Sequence, residues 1–389
     1  MYLVGIDISK YKHDCFIMTN DGEVIKSAFS FKNDQEGFKS FIQTLKALDQ
    51  SEKIRIGLES TSHYAINLKS YLNKNGFHFA EFNPYLVKKF NQARSIRKTK
   101  TDKLDAKVIA QMLDYVDYKT YIYNHSMYVL KTLTRFRDRL VKQRSYQLVQ
   151  LTNVLDITFP EFKPFFGDEF SKTCLFILKS YKSADKIARI NKTHGFEKLR
   201  KLSRGSFKYP KFLKLIDLAK KTIGVPDEIF EFQISSHIQA IELIEQQLKA
   251  VKQKIEIIIL DINPPTLSIK GIGPQSAAVI VSEFGNFQNF ERAAQLVSFA
   301  GVDSSVTQSG TQEHNGHMVK RGSGYLRQTL MNLVNPMLLH NPVFSQYYYK
   351  KRSEGKSHRV ASTHVVRKLL RVIYHLETNN IFYDQALSR

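Results

Sequence analysis

The sequence predicts an α/β domain with a mixed sheet at the N-terminus, then a helical coiled-coil region, then a mainly α C-terminal domain. Three observations predict it. In the first third, short apolar runs bounded by turn residues alternate with apolar residues at helical spacing. From Ile234 to Ile262 a stripe of apolar residues falls three or four apart, averaging near the heptad period. The last third reads as helices broken by Gly and Pro. A chain of 389 residues exceeds one ordinary domain, and the expected boundaries are 1–125, 126–262 and 263–389.

Residues 2–9, YLVGIDIS, read as a buried strand ending on a carboxylate, and CFIMT and VIKSAFSF, joined by a turn at NDGE, complete a three-strand meander. Phe38, Phe41, Ile42 and Leu45 mark a helix, KIRIGLES a short strand, and a helix is expected from about Ser62 to Asn75. FHFAEFN adds a strand, Pro84 opens a helix, and Asp102 begins another after a basic loop. From Met127 to Ile157 the spacing of Val129, Leu133, Phe136, Leu140, Leu148, Leu151 and Leu155 predicts a long amphipathic helix studded with Arg135, Arg137, Arg139, Lys142 and Arg144. A second long helix, from about Pro226 to Ile262, predicts a coiled coil, either between these two helices or between protomers. The intervening residues 158–225 are rich in Lys and Phe. That composition suits bases stacking on rings in RNA and equally suits a small helical insert.

Gly271-Ile272-Gly273, ahead of an Ala/Val-rich helix, resembles a helix-hairpin-helix, whose glycines let backbone N–H groups approach a phosphate; a plain tight connection reads equally well. Residues 303–324 are crowded with Ser, Thr, Gly, Gln and His and have no apolar period, so a long loop is expected. Such loops are uncommon unless functional. The tail combines three tyrosines with Lys350, Lys351, Arg352, Lys356 and Arg359 and closes on an amphipathic helix, a composition that suits a nucleic-acid arm.

The formal charge of +22 points to a polyanionic partner. A membrane surface would also answer it, but no stretch approaches the ~18 to 20 uninterrupted apolar residues of a spanning helix, so nucleic acid is the expected partner. The opening MYLVGIDISK lacks the form of a secretory signal, and two cysteines, Cys15 and Cys174, exclude a disulfide framework or a cysteine-rich zinc site; a reducing cytoplasm is expected. His314 and His317 have no further ligands at zinc spacing.

Four carboxylates occupy telling places. Asp7 lies within an apolar strand, Glu59 ends IRIGLE, and Asp102 and Asp105 sit three apart at the start of a helix, side by side and mutually repelling. Each also has an ordinary reading: a strand-end acceptor for Asp7, helix caps for Glu59 and Asp102. Together they supply what two divalent ions need for phosphodiester chemistry. Magnesium suits such oxygen ligands and would neutralise the Asp102–Asp105 repulsion, while Arg94, Arg97, Lys98, Lys100 and Lys103 approach the phosphate backbone.

GIDISK, GLEST and KTDKLDA resemble the sequence blocks of the DEDD transposases of insertion sequence family 110, and the four acidic positions of that family match Asp7, Glu59, Asp102 and Asp105. The K-T-D-x-x-D-A block is the most specific. The resemblance implies an N-terminal ribonuclease H-like domain similar to the resolvase RuvC, holding magnesium or manganese, in a bacterial, nucleoid-associated enzyme. It extends to AGVDSSVTQSG and KRGSGYLR, where the family's nucleophilic serine matches Ser309, with Ser305 the second choice; the family's D-P-S reads D-S-S here. It further implies donor and target DNA, a structured noncoding bridge RNA that pairs with both, and a homo-oligomer, a dimer or a tetramer whose protomers share the active site. Lys320, Arg321 and Arg327 are expected at phosphates, Lys320 and Arg321 stabilising transition-state charge. Two other classes compete: a RuvC-type junction nuclease that uses water and needs no serine, and a non-catalytic scaffold whose carboxylates are structural.

Overall fold

The structure, a computed structural model, describes residues 1–59, 63–94, 102–115, 124–167, 170–309, 312–320 and 322–384. Within them Arg94, Asp102, Lys103, 304–309 and 312–317 are described by backbone alone. The chain divides into Met1–His125 and Ser126–Arg389.

In the first unit, β1 (Tyr2–Ile8) buries Leu3, Val4, Ile6 and Ile8, so it is apolar on both faces and takes the centre of the sheet. The strand order is β3-β2-β1-β4-β5. β2 (Lys12–Thr19) and β3 (Val24–Lys32) form the antiparallel meander, and β4 (Ile54–Glu59) and β5 (Phe79–Phe82) run parallel to β1. The return crossings are helical: α1 (Gln35–Lys46) and α2 (Ile66–Lys74), the latter starting later than the spacing predicts because 63–65 form a turn. Asp34 caps α1 by accepting the Gly37 N–H at 2.8 Å, and the predicted stripe Phe38, Phe41, Ile42 and Leu45 is buried, with Phe41 stacked on Phe31 of β3 at 4.3 Å. Next come α3 (Pro84–Arg94) and α4 (Asp102–Tyr115). Helix α4 packs Ala106, Ile109, Ala110 and Leu113 against Leu3, Phe16, Met18, Ala80 and Phe82. Strand side chains alternate, so Phe31 and His13 belong to the opposite face, which α1 covers.

His13, on β2, is fully buried with Phe38 stacked at 5.9 Å and Phe31 edge-on at 5.3 Å. Burial pushes its pKa down to about 4, against the opposing help of Asn33 and Asp14. The unfolded chain takes up this proton near its ordinary pH of about 6.5, so stability is fully present above that pH and falls as pH drops towards 4. Urea unfolding of the full chain is expected to show His13→Leu sparing the protein a loss of up to about 3 kcal/mol across that window. A wild type and variant that change in parallel between pH 7 and pH 4 would refute this.

The second unit is built on two long antiparallel helices, α5 (His125–Thr158) and α11 (Glu228–Ile262), of 34 and 35 residues and about 50 Å each. Arg144 donates to Glu245 at 2.8 Å, and Gln147 hydrogen-bonds His237 at 2.7 Å. Between the two helices the chain forms α6 (Phe162–Phe166), α7 (Lys172–Tyr181), α8 (Ala184–Ala188), α9 (His194–Leu202) and α10 (Tyr209–Lys221). These share one core with Leu151, Val154 and Leu155 of α5 and Ile234, Ile238 and Ile241 of α11. The opposite ends of the same two helices, through Leu130, Leu140, Ile244, Val251, Ile255 and Ile259, enter a second core. It is completed by α12 (Pro274–Phe284), α13 (Ala293–Phe299), α14 (Gly324–Asn332), α15 (Val334–His340), α16 (Pro342–Ser353) and α17 (His358–Asn379).

The loop expected over 303–324 is corrected by the structure. Its backbone forms an antiparallel hairpin of β6 (Ser304–Ser309) and β7 (Gln312–Met318), with Ser309 paired to Gln312. Val306 and Met318 are the only large apolar residues in the two strands, so the sequence shows no apolar alternation there, and the backbone pairing reveals the hairpin.

Candidate active site

The acidic positions are organised by two glycines. Gly5 of β1 and Gly57 of β4 are direct neighbours in the parallel register. A Cβ on Gly5 would meet the Ala106 carbonyl oxygen at 2.1 Å and the Ala110 nitrogen at 2.3 Å, so α4 is seated directly on the bare backbone of β1. A Cβ on Gly57 would meet Leu113, further along α4, at 3.0 Å. Side chains two residues apart on a strand share a face, so Asp7 and Glu59 lie on the face covered by α4, near the C-terminal ends of adjacent parallel strands. Asp105 immediately precedes Ala106. Asp7, Glu59 and Asp105 are all half-buried, and Asp102 opens the helix. Among the described residues, no three His, Cys, Asp or Glu side chains close into a group that could hold a metal ion. The side chain of Asp102 lies outside the described set.

A fifth carboxylate, Asp14, went unnoticed in the sequence. It is directly across from Asp7 in the β1–β2 register and 1% exposed. Ser30 donates to it from β3 at 2.5 Å, and the Lys12 ammonium lies 3.1 Å away. Register is the only signal that could have found it: β1 and β2 flank a short turn, and counting back from that turn sets Asp7 opposite Asp14.

In the second unit, Ser309 is the last residue of β6, and its side chain lies outside the described set, as does that of Ser305. The register shifts between Ser304 and Val306, so Ser305 falls at an irregularity in the pairing. Lys320 is exposed with a φ of 34°, and its carbonyl accepts from Arg327 Nη1 at 3.2 Å. Arg97, Lys98, Lys100 and Arg321 lie outside the described residues, and Arg94 and Lys103 are described by backbone alone. Gly271 has a φ of 101°, and a Cβ there would meet Met337 Sδ and the Pro336 carbonyl at 3.1 Å, so packing against α15 already requires glycine. Gly273, ahead of α12, is open on that side. Lys350 and Arg352 are exposed at the end of α16; Lys351 pairs with Glu354 at 2.8 Å, and Arg352 donates to the Lys356 carbonyl at 2.8 Å.

Close to the base of the hairpin stands Glu283 of α12, whose side chain is 1% exposed. Arg135 of α5 grips both its oxygens, Nε at 2.7 Å and Nη2 at 3.0 Å; Lys131 lies 3.6 Å away, and Ser323 Oγ donates at 3.0 Å. Burial opposes the charge on Glu283, but Arg135, Lys131 and Ser323 outweigh it and hold the carboxyl below its usual range. The Arg135 guanidinium also lies over the Tyr325 ring at 5.1 Å, with Lys142 at 5.4 Å.

Comparison with known proteins places both segments in one class. A DEDD transposase model of the IS110 type matches residues 4–160, which hold the acidic face, and the transposase IS116/IS110/IS902 family model matches residues 266–349, which hold the hairpin. An uncharacterized 43.6 kDa protein of insertion element IS110 from Streptomyces coelicolor is 24% identical over 173 residues, covering 44% of this chain and 43% of that protein. The match therefore spans less than half of that relative's length. An uncharacterized 44.8 kDa protein of insertion element IS116 from Streptomyces clavuligerus is 23% identical over 386 residues, 95% of this chain and 93% of that one. Residues 266–349 thus resemble transposases of the IS116/IS110/IS902 family, and residues 4–160 resemble the DEDD transposases of the IS110 type. Among the described residues no helix is long and apolar enough to cross a membrane.

Proposed function

We propose that this transposase moves an insertion sequence by cutting and rejoining DNA with an acidic site and a serine nucleophile. The observation that carries the reading is the placing of Asp7 and Glu59 on neighbouring parallel strands of the face onto which α4, bearing Asp102 and Asp105, is seated. The mixed sheet with its meander and parallel extension supports a ribonuclease H-like, RuvC-like domain. Hard carboxylate oxygens are the donor chemistry of magnesium or manganese, so Asp7, Glu59, Asp102 and Asp105 would hold the ion. When bound, such an ion polarises the scissile phosphate and neutralises charge.

Ser309 attacks phosphorus as its proton is released; the Oγ–P bond forms as the bridging P–O bond breaks, and the phosphoserine link conserves the bond for rejoining. Lys320 and Arg321 stabilise the added charge. Arg94, Arg97, Lys98, Lys100, Lys103, Arg327, Lys350, Lys351 and Arg352 hold phosphate backbones, and the Gly271–Gly273 segment contributes as a helix-hairpin-helix. Donor and target DNA are selected by pairing with a structured noncoding RNA, which the high positive charge supports. The protein works on nucleoid DNA as a dimer or tetramer, with the α5–α11 pair as its coiled-coil element and the halves of each active site drawn from different protomers.

The test is an SDS-resistant protein–DNA adduct in cells carrying this gene and its flanking DNA. Wild type is expected to form it; Ser309→Ala and Asp7→Ala are expected to lose it. Excision that survives Ser309→Ala without any adduct would make the acidic set a water-using nuclease instead.

A further inference from the structure

We infer that Glu283 is the positioning residue of the serine hairpin, an inference that rests on Ser309 being the nucleophile. The hairpin is closed at its base by backbone bonds: Val319 N–H to the Asp303 carbonyl at 3.0 Å and Ser323 N–H to the Phe299 carbonyl at 3.3 Å. Arg367 Nε adds a bond to the Val302 carbonyl at 2.8 Å. Between them Gly322, with φ at 127°, passes so close that a Cβ would meet the Phe299 oxygen at 2.1 Å. Glu283 joins this base to the long helix. Its carboxylate receives Ser323 Oγ on one side and the Arg135 fork of α5 on the other, while Ser323 Oγ also accepts the Leu326 N–H at 3.2 Å and so starts α14.

Buried ion pairs rarely improve on apolar packing for stability, so a carboxylate buried here supplies direction rather than burial. Ser309 lies five residues beyond Ser304, about 17 Å along the strand. A tilt of about 3° at the base therefore moves the tip by about 1 Å, a misplacement that can cost ~100-fold in rate.

In the test, the purified full chain is mixed with DNA carrying the element's own ends and RNA transcribed from its noncoding flank. Adduct formation is followed at saturating DNA. Glu283→Gln and Ser323→Asp are each expected to slow it by about tenfold or more, with the dissociation constant for that DNA unchanged within about twofold. The double variant exchanges donor and carboxylate across the same contact and keeps the charge of the cluster; it is expected to recover to within about threefold of wild type. A double variant as slow as either single overturns the proposal. So does a folded Ser323→Ala, which leaves the Arg135–Glu283 pair in place, if it reacts at the wild-type rate. An adduct that survives Ser309→Ala overturns the serine reading itself, whereas loss only with Ser309→Ala, the Glu283 and Ser323 variants being normal, overturns the positioning role alone.

Discussion

Gly5→Val is expected to prevent the first unit from folding and to abolish strand cleavage with it. The atoms that a Cβ would strike, the Ala106 oxygen and the Ala110 nitrogen, are helix backbone and cannot rotate aside. Helix α4 must lift from β1, exposing Ile109 and Leu113, both fully buried. At ~1.5–3 kcal/mol for each large apolar side chain, those two residues alone forfeit about 3–6 kcal/mol, which is comparable with the ~5–15 kcal/mol that holds a whole domain. Gly57→Ala provides the contrast. Its Cβ meets side-chain atoms of Phe82 and Leu113 at 2.9 and 3.0 Å, which can shift, so a loss of ~1–3 kcal/mol is expected. Urea unfolding of the two variants separates the cases: a Gly5→Val protein with a wild-type midpoint would mean that α4 is not seated on β1.

Arg135→Met carries the second largest expected effect, in the other unit. It leaves Glu283 buried with Lys131 and Ser323 but without its bidentate partner. Breaking a buried pair from one side typically costs ~3–5 kcal/mol, and because the Arg135 side chain is 40% exposed the lower end, about 3 kcal/mol, is expected. The pH response should change sign. In the wild type the carboxyl titrates below its usual range, so its contribution is present above about 4.5 and is lost as pH falls through the lower native value. Without Arg135, burial dominates and raises the native value; the variant then gains stability as pH falls from neutral towards about 4.5. Denaturant midpoints at pH 7 and pH 5 measure this directly, and a variant that is equally weakened at both would contradict it.

The sheet and most helices were legible because burial writes a period into the chain: Leu3, Val4, Ile6 and Ile8 in a run, Phe38, Phe41, Ile42 and Leu45 at helical spacing, and the isoleucines of α11. The hairpin of 304–318 was not, because its mostly polar residues carry no apolar alternation and only the backbone pairing reveals it. The motifs mark the acidic positions but not that Asp7 and Glu59 lie on one face beside Gly5 and Gly57, which emerges only once strand register is known. Asp14 and Glu283 escaped notice for a related reason. A carboxylate shows its role through its partners, and those of Glu283 include Arg135, 148 positions away.

The two rods α5 and α11 also bear on how such a chain can vary. The five helices α6–α10 hang at one end of an antiparallel pair whose other end is built into the core beneath the hairpin. The cap shares its core with Leu151, Val154 and Leu155 of α5 and Ile234, Ile238 and Ile241 of α11, so any change in it must keep that apolar face covered, whereas closing a loop of doubled length costs only about 0.6 kcal/mol. A change in the cap is therefore felt first at that end of the rods, whereas the Arg135–Glu283 contact stands at the end that enters the other core.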